Sequence, residues 1–381
     1  MNISRPIYLD NQSTTPVDPR VIEEIIPYYN EKFGNEGSQT HLYGWEARES
    51  VNISKEHIAK LIKCNMNEIY FTSGATESIN IALKGAAYAQ QNKRKHIITF
   101  STEHKATLDV CKSLESDGYK VTYIPVNQKG LINLESIEES ITEDTFLITV
   151  LHANNEIGNI YPIEHIGNIC KKNNILFHVD AAQSVGKINL DMNNSNIDIL
   201  SFSSHKIYGP KGAGGLYIKK RDPKINLNPI IHGGGQQEGI RPGTLAIQNI
   251  VGFGKACQIA EQDMLKDNEH VLGLRDDLLK GLKEIIPDII INGDLDNRLA
   301  GNLNITIPNI NNNSFMMSLR DIAISNGSAC TSKSTKPSHV LKAIGLSDAL
   351  AHASIRFGIG RFNTKNEIDF TINKIEEYIN K

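Results

Sequence analysis

Through the first two thirds of this chain, short runs rich in β-branched and aromatic residues alternate with segments of helical periodicity. "EIYFTSG" precedes "ATESINIALKGAAYA", "KHIITF" precedes "HKATLDVCKSLESDG", and "KVTYIPV", "TFLITVL", "ILFHVD" and "IDILSF" follow. Strand then helix at this spacing predicts a parallel or mixed sheet covered by helices on both faces. From about residue 255 the pattern becomes a long charged helix, "ACQIAEQDMLKDNEHVLGLRDDLLKGLKEII". "NLNITIP", a polar "NINNNS" turn and a second helix, "SFMMSLRDIAIS", come after it. This change predicts a large α/β domain over residues 15–255 and a smaller α+β domain over 256–381, joined by residues 1–14. At 381 residues the chain has room for both.

Charge is nearly balanced, with 40 Lys and Arg against 43 Asp and Glu, and there is no long basic block. That argues against DNA or a membrane surface as a direct partner. No apolar run reaches the length of a membrane span, and "MNISRPIYLD" has neither a basic nor an apolar leader region, so a cytoplasmic protein is expected. The 5 cysteines are scattered without a C-x-x-C pair, which predicts neither a zinc site nor a disulfide framework and fits a reducing compartment. Four of them sit among apolar or helical residues and read as small core hydrophobes. Cys330, in "SNGSACTSKSTKPSH", does not.

Ligands of an open α/β sheet bind beyond the carboxyl ends of its strands, so the polar residues there carry the functional information. In "FTSGATES" a helix begins near Ala75 with Thr76 in its first turn. Such a start receives a phosphate, although Ser and Thr also serve there as plain caps. Asp180 and Gln183 follow the apolar strand of "ILFHVDAAQSVG"; the carboxylate is either tied into a hydrogen-bond network or holds a buried cation. His104 follows "KHIITF", and Asn154 and Asn155 follow "TFLITVL", where paired asparagines can also merely shape a turn. "IDILSF" ends in Ser203, Ser204 and His205, then Lys206, then a glycine-rich stretch. Taken alone, Lys206 could snorkel to solvent. A phosphate cup, an aspartate, a histidine and a lysine at one sheet edge are together the parts that hold pyridoxal phosphate, with the lysine forming a Schiff base and the aspartate keeping the ring nitrogen protonated.

The ordered motifs "YLDNQSTTPVDPRV", "FGNEGSQTHLYGWEA", "FTSGATESINIALKG", "TEHKATLD", "NNEIG", "HVDAAQSVGK", "SFSSHKIYGPKGAGGLY", "GGGQQEGIRPGTL", "NGSACTS" and "AHASIRFGIGRF" resemble the group I cysteine desulfurases. These belong to the class V branch of the fold-type I pyridoxal-phosphate enzymes. The resemblance implies a mostly parallel seven-stranded sheet between helices, with a smaller C-terminal α+β domain. It implies that Lys206 carries the cofactor, that His104 stacks on its ring and assists proton transfer, and that Asp180 and Gln183 bind its ring nitrogen and hydroxyl. It implies that Ala75, Thr76, Ser203 and His205 hold the phosphate, with Thr244 contributed by the partner subunit of a homodimer, and that Ser204 and Asn155 also belong to the cofactor-binding set. Asn155 and Arg356 clamp the carboxylate of L-cysteine, for which the planar guanidinium is suited.

By the same resemblance Cys330 is the nucleophile that takes the substrate sulfur as a persulfide, leaving L-alanine. Its run lacks apolar periodicity, which predicts an exposed loop, and Lys333 and Lys336 favour its thiolate. The implied acceptors are an iron-sulfur scaffold protein and, beyond it, tRNA thiolation. No intrinsic metal is expected, although Cys330 could transiently ligate a cluster shared with the scaffold. Selenocysteine lyase or another class V activity would share Lys206, Asp180 and His104 without requiring Cys330. A sulfur-carrying or regulatory protein would need none of them intact.

Overall fold

The computed structural model describes residues 6–90, 93–310, 312–326 and 336–380. Cys330 and Lys333 lie outside them. In chain order the strands are β1 (Ile7–Tyr8), β2 (Ile69–Thr72), β3 (His96–Phe100), β4 (Lys120–Ile124), β5 (Thr145–Leu151), β6 (Leu176–Asp180), β7 (Ile199–Ser203), β8 (Gly214–Ile218), β9 (Ile290–Ile291), β10 (Asn302–Thr306), β11 (Ile322–Ala323) and β12 (Ser354–Gly358).

The main sheet has 7 strands in the order β2-β8-β7-β6-β5-β3-β4. Pairing is parallel from β4 through β7 and antiparallel on both sides of β8. Strand β8 therefore runs against all the others, so its beginning meets the ends of β2 and β7: Gly214 is paired with both Thr72 and Ser203. Strands β2, β3, β5, β7 and β8 are buried along their whole length, as expected of a sheet covered on both faces, and this explains their near-continuous apolar runs. Among the buried polar residues of the sheet, His178 on β6 braces three strands: its ring nitrogens meet Thr149 Oγ1 at 2.7 Å and Ser201 Oγ at 2.9 Å. Burial lowers its pKa to about 3, so it braces as a neutral ring.

The second layer contains the antiparallel sheet β12-β10-β9 and the parallel pair β1-β11. It has its own apolar core, including Leu303, Ile305, Phe315, Ile355 and Phe357. The expected domain change at 255/256 falls inside one helix, Ile247–Ile285. Its first part (Ile250, Phe253, Ala256) packs into the main core, whereas Leu274, Leu278 and Leu282 pack into the second. The helix expected over "SFMMSLRDIAIS" stops at Ser318, because Ile322 and Ala323 pair with Ile7 and Tyr8 instead. The N-terminal segment leaves β1 along the second layer, where Asn11 N donates to Gly358 O, and then crosses to the main sheet, where Thr15 N donates to His205 O. Residues 10–14 are thus laid across the seam above the strand ends.

Candidate functional site

A cavity of ≈ 460 Å³ opens at that seam, walled by the ends of β2, β5, β6 and β7, the crossing N-terminal segment and Arg356. Each wall follows from local sequence. After β2, Ser73 and Gly74 turn the chain into the helix Ala75–Ala89. A Cβ on Gly214 would lie 2.4 Å from Gly74 Cα, so the glycine at the start of β8 is what permits the turn to sit against the strand. Glu77 in the first helical turn accepts from Ser73 N at 2.5 Å and from Arg241 Nε at 2.8 Å. Burial raises its pKa, but these bonds outweigh burial and hold the carboxyl below its ordinary value. Beside this positive helix end, Ser203 Oγ is buried with no partner among the described residues. A buried hydroxyl left unpaired at a helix N-terminus is what an anion's acceptor oxygens would complete.

His205 meets Thr14 Oγ1 at 3.0 Å through Nδ1, and burial, assisted by Lys206, Lys211 and Lys187, lowers its pKa to about 4. His104 caps the helix Lys105–Ser116, its Nδ1 accepting from Ala106 N at 3.1 Å. Burial first, then Lys206 and His339, lowers its pKa to about 4 as well. Both rings are therefore neutral near pH 7. Asp180, the last residue of β6, is fully buried; desolvation raises its pKa to about 6 against the opposing effects of the Ala182 N–H and Lys206. Its side chain accepts from Ala182 N at 2.9 Å through Oδ1.

Lys206 closes a single 3-10 turn, Ser204–Lys206, immediately after β7. Its Nζ donates to the carbonyls of Gln12 at 2.5 Å and Ser13 at 2.7 Å. Arg356 on β12 is fully buried; Nη2 meets Asp10 Oδ1 and Ser13 Oγ, each at 2.7 Å, and Nη1 donates to Asn155 O at 2.8 Å. Its Nε has no partner among the described residues.

Ala75, Thr76, His104, Asn155, Asp180, Gln183, Ser203, His205, Lys206 and Arg356 thus line one cavity. Ser204 does not. Side chains alternate at the strand end, so Ser204 Oγ turns away and lies where a Cβ on Gly209 would come within 2.1 Å. Thr244 is exposed and outside the cavity of this single chain. Of the paired asparagines, Asn154 shapes the turn, its Oδ1 accepting from the backbone of Glu156 and Ile157, and Asn155 faces the cavity. The residues on either side of the segment with Cys330 are tied to this site: Arg356 N donates to Ser325 O at 2.6 Å, and His339 Nε2 meets Glu103 O at 2.9 Å. Sequence reasoning missed Gln12, Ser13 and Asp10. Two of these act on Lys206 through backbone carbonyls, which leave no residue-type signal; the quoted "YLDNQSTT" segment was the available clue.

A half-buried lysine, a buried carboxylate, a neutral imidazole and an incomplete anion cradle fit a phosphorylated aromatic aldehyde. Among the described residues there is no group of three or more His, Cys, Asp or Glu placed to hold a metal. No described helix is long and apolar enough to cross a membrane.

Residues 7–370 match the family model of the class-V aminotransferases. The chain is 50% identical over 99% of its length to a probable mitochondrial cysteine desulfurase of Dictyostelium discoideum, covering 84% of that protein. It is 49% identical over its whole length to the cysteine desulfurase IscS of Rickettsia prowazekii, covering 92% of it. Among solved structures, a NifS-like protein superposes with a TM-score of 0.91 at 39% identity, over 98% of this chain and 99% of that one. SspA in complex with cysteine superposes with a TM-score of 0.82 at 38% identity, over 94% and 100%.

Proposed function

This chain belongs to the cysteine desulfurases of the class-V aminotransferases, and from that premise we propose how its residues divide the work. The enzyme takes sulfur from L-cysteine with pyridoxal 5′-phosphate as cofactor. When bound, that cofactor supplies an aldehyde that condenses with amines and a ring that accepts the electron pair left by a departing Cα proton.

Lys206 would hold the cofactor's aldehyde, and its amine, which two carbonyls hold at the site, would carry the Cα proton. Asp180 would pair with the ring nitrogen: a carboxylate that burial disfavours when alone would gain a cationic partner there. The neutral ring of His104 would lie against the cofactor and pass protons. Gln183 would donate to the ring oxygen. Ala75, Thr76, Ser203 and His205 receive the phosphate, where the helix end and the unpartnered hydroxyl meet. Arg356 and Asn155 receive the carboxylate of cysteine. The Cys330 thiolate attacks the substrate sulfur; an S–S bond forms as Cβ–Sγ breaks, the released electron pair stays on the carbon skeleton, and protonation there yields L-alanine.

One observation carries this reading: Lys206, Asp180, His104 and the unpaired Ser203 hydroxyl face a single cavity with Arg356 on its far wall. The sulfur is destined for an iron-sulfur scaffold and, by the same chemistry, for tRNA thiolation. A second copy of the chain completes the site with Thr244. Support for the homodimer is a group of exposed apolar side chains early in the chain, with Ile26 at 56%, Tyr29 at 63%, Phe33 at 62% and Leu42 at 61% exposure, since monomers rarely leave large apolar patches open. The two packed cores support the domain division at 15–255 and at 1–14 with 256–381, the long helix joining them. A cytoplasmic location is supported by the four described cysteines, all free thiols.

Mass spectrometry after cysteine turnover tests the assignment. An added sulfur on Cys330 is expected, and Cys330→Ala should abolish sulfide release while the cofactor's visible band is retained. Sulfide release at the wild-type rate from that variant would overturn it.

A further inference from the structure

Lys187 follows Gln183 in the run of turns after β6 and does not line the cavity. Its Nζ nevertheless donates to Gln183 Oε1 at 3.3 Å. An ammonium or amine meeting an amide at a donor's position selects the amide oxygen, so this contact decides which end of Gln183 faces which way. The nitrogen Nε2 is thereby turned toward the seam, where it donates to Gln12 O at 2.8 Å. That carbonyl is also an acceptor for Lys206 Nζ at 2.5 Å. A continuous hydrogen-bonded path therefore runs from Lys187 through the Gln183 amide and the Gln12 carbonyl to Lys206. Nothing in the sulfur chemistry above uses Lys187, and no carboxylate among the described residues forms an ion pair with it.

We propose that Lys187 is a positioning residue for the cofactor: it locks the Gln183 amide with its N–H groups facing the site and places a second cation close behind Lys206. This rests on the reading of Lys206 as the cofactor-bearing residue. Burial, then the nearby charges of Lys206 and Arg361, lower the Lys187 pKa to about 7, consistent with an enclosed amine in an already cationic neighbourhood. The lock and the charge act in the same direction. Removing either makes an unprotonated linkage at Lys206 less favourable, because the ring oxygen loses a donor and the linkage nitrogen loses a repelling cation.

The pH titration of the cofactor's visible band in the purified holoenzyme reads this directly. Lys187→Met is expected to raise the band's midpoint by about 0.5–1 pH unit, and Lys187→Arg, which keeps donors and charge, to restore most of it. Lys187→Gln serves if the methionine variant does not fold, and should raise the midpoint by a smaller amount. An unchanged midpoint in a variant whose Lys206 is still trapped by borohydride overturns the proposal. Failure of borohydride to trap wild-type Lys206 would instead strike the cofactor assignment. In that case the lock is read without cofactor, from a crystal structure of Lys187→Met: Gln183 Nε2 is expected to leave Gln12 O, and an amide found in its original place refutes it.

Discussion

Asp180 offers the sharpest quantitative test, because the property that suits it to a cofactor should weaken the protein without one. Its folded pKa is raised from 3.8 to about 6 by burial. A carboxyl raised in this way contributes nothing adverse while protonated in both states, below the unfolded pKa. As pH rises through the folded value, ionisation in the unfolded chain is favoured over ionisation in the native one, and stability is lost. The difference of roughly two units corresponds to about 3 kcal/mol by pH 8, and to roughly half of that at pH 5. Asp180→Asn keeps the shape and an oxygen for the Ala182 N–H, but removes the ionisation. The cofactor-free variant is therefore expected to be more stable than cofactor-free wild type, by up to about 3 kcal/mol at pH 8 and by roughly half of that at pH 5. Urea midpoints of the two proteins at both pH values provide the assay, since the many other titrating groups are common to both. In the presence of pyridoxal phosphate the order should reverse, as the variant has no charge to offer the ring. A variant equally destabilised at pH 5 and pH 8 would refute the reasoning, for it would show that Asp180 is held in the folded protein by its hydrogen bonds and not disfavoured by its burial.

Two further outcomes follow from the same geometry. Gly214→Ala places a methyl group 2.4 Å from Gly74 Cα, so β8 or the phosphate-side turn must shift; cofactor affinity should fall at least about tenfold while far-ultraviolet circular dichroism is unchanged, and retained affinity would mean that the close approach is dispensable. With its pKa near 4, the His104 ring should remain neutral down to about pH 5 in nuclear magnetic resonance titrations of the cofactor-free protein, and a midpoint near the ordinary 6.5 would contradict the burial on which that rests.

The strand and helix order was legible because the buried strands are almost pure apolar runs bounded by polar turns, and β2 through β7 appear where those runs lie. Strand β8 was not legible as a strand. "GGLYI" opens on two glycines, and its direction depends on a pairing with β2 and β7 that no local pattern specifies. Site residues with distinctive chemistry at strand ends, such as Asp180 and Lys206, could be found from position alone. Ser203 and Ser204 could not be told apart until the strand's end fixed which hydroxyl faced the cavity. Gln12 and Ser13 escaped because they serve through peptide carbonyls, and Lys187 because a lysine just outside the cavity has no pattern of its own until the amide it touches is seen.

The reversed direction of β8 has a mechanical implication for the residue that must exchange partners during turnover. Lys206 sits early in the connection of residues 204–213 between two neighbouring, hydrogen-bonded strands, in the 3-10 turn that directly follows β7. The backbone there is pinned, because His205 O accepts from Thr15 N and Ser204 O accepts from both Ile207 N and Gly209 N. The journey of the amine from one bonding partner to another is then left to the torsions of its own four-carbon arm, pivoting from a fixed root.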